Sequence, residues 1–106
     1  MPFRDQLQGL LKSEREQAGF ILKNGEIVEV ENVCHDPENG FDVRPRDILR
    51  YASEAQATWH THPNGKANLS ENDYETFSNW PELDHYIVAP GEVACYVVRN
   101  GKVMIA

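Results

Sequence analysis

Two histidines stand one residue apart in His60-Thr61-His62-Pro63, and seven residues later the chain reads Ser70-Glu71-Asn72-Asp73. Along an extended segment side chains alternate with period two, so both imidazoles project from one face. A carboxylate one turn into a following helix can close on the point between them. Two imidazoles and a carboxylate form a three-ligand set with a fourth position left for water. That is the composition of a catalytic zinc centre, because a structural one is closed by four protein ligands.

Taken singly, the pieces are ordinary. His-x-His recurs by chance, and Ser-x-x-Asp before a helix is the pattern of a capping box, in which hydroxyl and carboxylate satisfy free backbone amides. The joint spacing is what carries weight, since a strand end, a connecting loop and a helix start must converge on one point. Barrel hydrolases that use His-x-His on a first strand need roughly 200 residues or more, and too little chain follows His62 for that. Histidine-triad nucleotide hydrolases would need a further histidine at 64, where Asn64 stands. Trp59 and Thr61 alternate with the two histidines and face the other side as scaffold. His35 and His85 lie outside the motif, and Cys34 and Cys95 have no Cys-x-x-Cys spacing, so buried thiols are the default.

The elements that must position these groups follow from periodicity and turn signals. Phe3, Leu7, Leu10 and Leu11 recur at helical spacing and predict an amphipathic helix over 3–14, which would include Glu14. Strands are expected over 19–23 and 26–33, joined by Asn24-Gly25, since both turn residues tolerate positive φ. Residues 34–46 read as a loop with one short strand at 41–43, and 46–55 as a second helix. The motif strand spans 57–61 and ends at Pro63. Ser70 opens a third helix that Pro81 stops, and strands follow over 85–89, 93–99 and 102–105, the last two joined by Asn100-Gly101. This order predicts an α+β fold with a single mixed, curved β-sheet flanked by helices.

Size and charge bound the function. The 106 residues suit a single domain spanning 1–106. A net charge of −7 without a basic cluster argues against a nucleic-acid partner. No apolar run approaches the roughly 20 residues of a membrane span, and Met1-Pro2-Phe3-Arg4 begins no signal peptide. A cytoplasmic location and no membrane partner are therefore expected.

The motif resembles that of the JAMM (MPN+) zinc metallopeptidases: a Glu, a variable gap, His-Ser/Thr-His, seven residues, Ser, two residues, Asp. The resemblance implies zinc as cofactor, held by His60, His62 and Asp73 with water in the fourth position, and a role for Ser70 at the substrate oxygen. In the family the upstream Glu often sits in Glu-x-Cys-Gly before apolar residues. Glu16-Gln17-Ala18-Gly19-Phe20 has that form with Ala18 in place of Cys, which makes Glu16 the expected general base and Glu14 its rival. The implied fold is the MPN, cytidine-deaminase-like α-β-α arrangement, and the implied activity is hydrolysis of peptide or isopeptide bonds. The short chain is most like the compact bacterial and phage branch, particularly the peptidase domain of phage tail assembly proteins. That points to a tail protein or a ubiquitin-like protein as substrate, in the host cytoplasm if the chain is phage-encoded. A non-catalytic, zinc-stabilised MPN scaffold in tail assembly is the alternative.

Overall fold

The computed structural model describes residues 3–106. Its elements, in chain order, are α1 (Arg4–Gln8), β1 (Ala18–Leu22), β2 (Ile27–Val30), α2 (Pro45–Tyr51), a 3-10 turn (Ala52–Glu54), β3 (Ala55–Thr61), α3 (Glu71–Ser78), β4 (Asp84–Ala89), β5 (Glu92–Arg99) and β6 (Lys102–Ile105). The strands form one mixed six-stranded sheet in the order β2-β1-β3-β4-β5-β6. Only β3 and β4 pair in parallel, because the loop and α3 between them carry the chain back to its starting edge. The fold is thus α+β, a mixed sheet with three α-helices.

Alternation along β4 sorts the core into two faces. Tyr86 and Val88 pack with Leu7 of α1, Ile21 and Trp59. Ile87 and Ala89 pack on the opposite face with Phe77 of α3 and with Tyr96. Ile48 and Tyr51 of α2 join Phe20, the neighbour of Ile21 along β1, so α2 shares the face of α3. His60 follows Trp59 in β3 and therefore looks towards α3.

Several expected boundaries move. The first helix stops at Gln8, and Leu10 and Leu11 donate to Leu7 and Gln8 in i→i+3 turns, so Glu14 lies outside any helix. The strand expected at 41–43 does not form; Val33 donates to the Asp42 carbonyl, and the Asp42 amide goes to the Asn32 side chain instead. The second helix starts at Pro45, whose missing N–H costs nothing in the first turn, and Ala55 belongs to β3 rather than to that helix.

The two Asn-Gly turns also differ. Asn100 and Gly101 both take positive φ, 53° and 76°, as a two-residue hairpin of mirror-image type requires. At the first hairpin only Gly25 does, at 90°. There the Gly25 amide closes a turn on the Leu22 carbonyl, and the glycine supplies the left-handed residue of a three-residue loop.

Gly19 answers to a different constraint. The Trp59 indole reaches from β3 across β1 and donates to the Val28 carbonyl on β2 at 3.2 Å. A Cβ on Gly19 would lie 1.9 Å from that carbonyl oxygen and 2.7 Å from the indole nitrogen. Among the described residues no helix is long and apolar enough to cross a membrane.

Candidate metal centre

β3 ends at Thr61, and its last turn of side chains delivers His60 buried and His62 half-buried at the sheet end. Asp73 reaches the same point from the first turn of α3. Ser70 caps that helix: its Oγ accepts the Asp73 amide at 3.0 Å, while the Ser70 amide donates to Asp73 Oδ2 at 3.1 Å. The capping box fixes the helix start and aims the carboxylate with the same pair of bonds.

The three side chains meet in a small triangle. His60 Nε2 lies 3.2 Å from His62 Nε2 and 3.0 Å from Asp73 Oδ1, and His62 Nε2 lies 3.3 Å from Asp73 Oδ2. Ligands held at about 2.0–2.1 Å around a tetrahedral ion are separated by about 3.3 Å. The triangle has the size of one face of such a tetrahedron.

Proton bookkeeping points the same way. His62 Nδ1 is 2.9 Å from the Lys66 carbonyl, an acceptor, so Nδ1 carries the hydrogen and a neutral His62 presents a bare lone pair at Nε2. That lone pair faces a carboxylate oxygen and a second imidazole nitrogen. Such a convergence of acceptors needs a cation, either a metal ion or a proton. Burial lowers the His62 pKa, but the Asp73 carboxylate, the Lys66 carbonyl and the charge of Glu16 outweigh it and leave the pKa raised. Burial pushes His60 below the usual histidine range despite Asp73. Burial alone would raise Asp73, yet hydrogen bonds from both histidines, the His60 charge and the Ser70 amide hold it well below the usual carboxylate range. The donor set fits a borderline-soft divalent ion of the zinc type.

Glu16 stands beside this set. One of its oxygens and the two imidazole nitrogens lie within 4.8 Å of one another. It is buried to 9% exposure, and burial, partly opposed by His62 and reinforced by Asp73, pushes its pKa up to about 7. Glu14 is exposed and takes no part in the cluster. Glu16 precedes β1, where Gln17 exchanges two hydrogen bonds with Thr61: the Gln17 amide donates to the Thr61 hydroxyl at 2.8 Å and the Thr61 amide to the Gln17 carbonyl at 2.9 Å. Thr61, expected to be scaffold, ties the carboxylate segment to the strand that bears both histidines.

Asn32 is a residue that sequence reasoning missed. Its buried amide donates to the carbonyls of Glu16 at 2.8 Å and Gly40 at 3.0 Å, and its oxygen accepts the amides of Cys34 and Asp42, both at 3.0 Å. The Glu16 amide in turn donates to the Pro37 carbonyl. One side chain thus joins Glu16 to the 34–42 loop. Phe41 of that loop lays its ring against His60, with centroids 4.5 Å apart, and Glu38 to Phe41 wall one side of a cleft of about 400 Å³. Glu16, His62, Ser70 and Asp73 line the same cleft.

His85 is not near the ligands as a donor. Its Nε2–H donates to the Trp80 carbonyl at 3.0 Å and its Nδ1 accepts the Thr58 hydroxyl at 2.7 Å. Its ring stacks on Phe77 at 4.2 Å, which places it behind α3 as a buried, hydrogen-bonded histidine. Cys34 and Cys95 are free thiols. No family model matches the chain.

Proposed function

We propose that the chain is a zinc-dependent hydrolase of peptide or isopeptide bonds, built on the MPN arrangement that its motif resembles. The observation that carries this reading is the triangle of His60, His62 and Asp73, with edges of 3.0–3.3 Å. Helices on both faces of the mixed sheet suit that arrangement. An acidic, compact chain of the bacterial or phage type would act on a protein or peptide, such as a tail-assembly or ubiquitin-like protein.

Zinc at this site supplies a Lewis acid that polarises a carbonyl and brings the pKa of water from about 15.7 towards about 7. The chain's own residues do the rest. His60 and His62 offer neutral lone pairs, and Asp73 offsets part of the ionic charge. Glu16 takes a proton from the attacking water and returns it to the leaving amine, a task suited to a carboxyl pushed up to about 7. Ser70 Oγ accepts the Asp73 amide and still has its own proton to give, which stabilises the oxyanion as it develops. A buried, ionisable Glu16 beside the ligands favours an enzyme over a scaffold, which has no use for it.

The test is hydrolysis by the zinc-loaded chain of a pool of linear and lysine-branched peptides, followed by mass spectrometry. Cleavage that Glu16→Gln abolishes and Glu14→Gln leaves intact supports the reading. The opposite pattern of the two variants overturns the role of Glu16.

A further inference from the structure

We infer that Glu92 and Tyr96 are positioning residues for His62: they clamp Ala67 by both its main-chain polar atoms, so that the neighbouring Lys66 carbonyl holds the imidazole as its Nδ1–H tautomer. The loop from Pro63 to Leu69 is exposed or half-exposed except at Ala67, which is 4% exposed. Glu92 Oε1 accepts the Ala67 amide at 2.5 Å, and the Tyr96 hydroxyl donates to the Ala67 carbonyl at 2.9 Å. Glu92 and Tyr96 stand four residues apart on β5, so alternation puts both on the face that carries α3.

The clamp is braced from the other side of the sheet. Gln8 of α1 donates to the carbonyls of Ala89 and Glu92, at 2.8 and 3.0 Å, and so holds the turn from which Glu92 projects. The resulting chain of contacts runs from α1 through Glu92 and Ala67 to Lys66 and His62. Which ring nitrogen of a histidine is free for a metal is decided by the hydrogen bond that the other one makes. With the loop loose, the Lys66 carbonyl has no fixed place, and Nε2 competes for the hydrogen. The consequence for zinc affinity rests on the proposed metal centre; the tautomer does not.

The experiment uses the metal-free chain in alkaline buffer, where His62 is neutral, with long-range proton–nitrogen NMR of the imidazole and then zinc titration against a chelator. The wild type is expected to show His62 as Nδ1–H, and Tyr96→Phe combined with Glu92→Ala to show a mixture and zinc affinity lower by about tenfold or more. Glu92→Ala alone should give a smaller change in the same direction. Glu92→Gln, which keeps an oxygen for the Ala67 amide, restores the wild-type pattern. Tyr86→Phe, a loss from the opposite face of the sheet, leaves the His62 spectrum unchanged. An unaltered tautomer in the double variant, or an equal change in Tyr86→Phe, overturns the clamp. A wild type that binds no zinc removes the metal centre, while the tautomer comparison still decides the clamp.

Discussion

The side-chain amide of Asn32 donates to the main-chain carbonyl of Glu16 over 2.8 Å, and the same side chain makes three further bonds to the loop that walls the cleft. The Glu16 segment and the cleft wall are therefore one mechanical unit. Asn32→Ala leaves two carbonyls and two amides short of a partner. Each orphaned buried group costs about 1–3 kcal/mol, and water entering the loop recovers part of that. A loss of about 3 kcal/mol by urea denaturation is expected, with zinc still bound because no ligand is touched. An Asn32→Ala protein as stable as the wild type would show that the hub is dispensable.

Gly19→Ala should be among the most damaging single-methyl changes in the chain. The added Cβ meets the Val28 carbonyl and the Trp59 indole, and neither is the free end of a flexible side chain. Overpacking of this kind costs about 1–3 kcal/mol, and the indole hydrogen bond is lost as well. Thermal unfolding should reveal a loss at or above the top of that range. An unchanged melting temperature would contradict the crossing of Trp59 over β1.

The convergence of His60, His62 and Asp73 was legible because its spacing is local and chemical: period two at the end of β3 and one helical turn in α3 bring three side chains together. Asn32 was not legible. Its partners lie up to sixteen residues away, and the strand expected over 26–33 runs through it, whereas β2 ends at Val30. Phe41 looked like strand material because it is aromatic and lies near Val43, but its ring is spent against His60. The first helix was overdrawn for a similar reason. Leu10 keeps its apolar contact with the core, while the backbone beyond Gln8 has already left the helix.

His85 makes stability depend on pH. Burial pushes its pKa below the ordinary histidine value, although the Trp80 carbonyl and nearby carboxylates pull the other way. In the unfolded chain it takes up a proton near its ordinary pKa, about 6.5, and in the folded chain only at lower pH. The unfolded state then binds more protons, so its stabilising effect is complete above about 6.5 and is lost as the pH falls towards the folded value, by at most about 1.4 kcal/mol per pH unit. Urea denaturation of wild type and His85→Gln between neutral and mildly acidic pH should give a steeper decline for the wild type. Parallel declines would refute this account of His85.

On the proposed mechanism Ser70, which caps α3, has a second duty that one substitution can separate by size. Ser70→Ala removes the cap acceptor, at about 1 kcal/mol of stability, and also the oxyanion donor, at about a hundredfold in turnover. Folding and hydrolysis measured on the same preparation should show both. A turnover loss no larger than the stability loss explains would leave Ser70 as a cap alone.

The central claim is that His60, His62 and Asp73 hold one metal ion, and metal content tests it most directly. Protein purified with zinc present and no chelator, then desalted and analysed by atomic absorption, should contain about one zinc per chain, while His60→Ala and Asp73→Ala should contain almost none. A folded wild type without zinc, or full retention of zinc in both variants, would contradict the account.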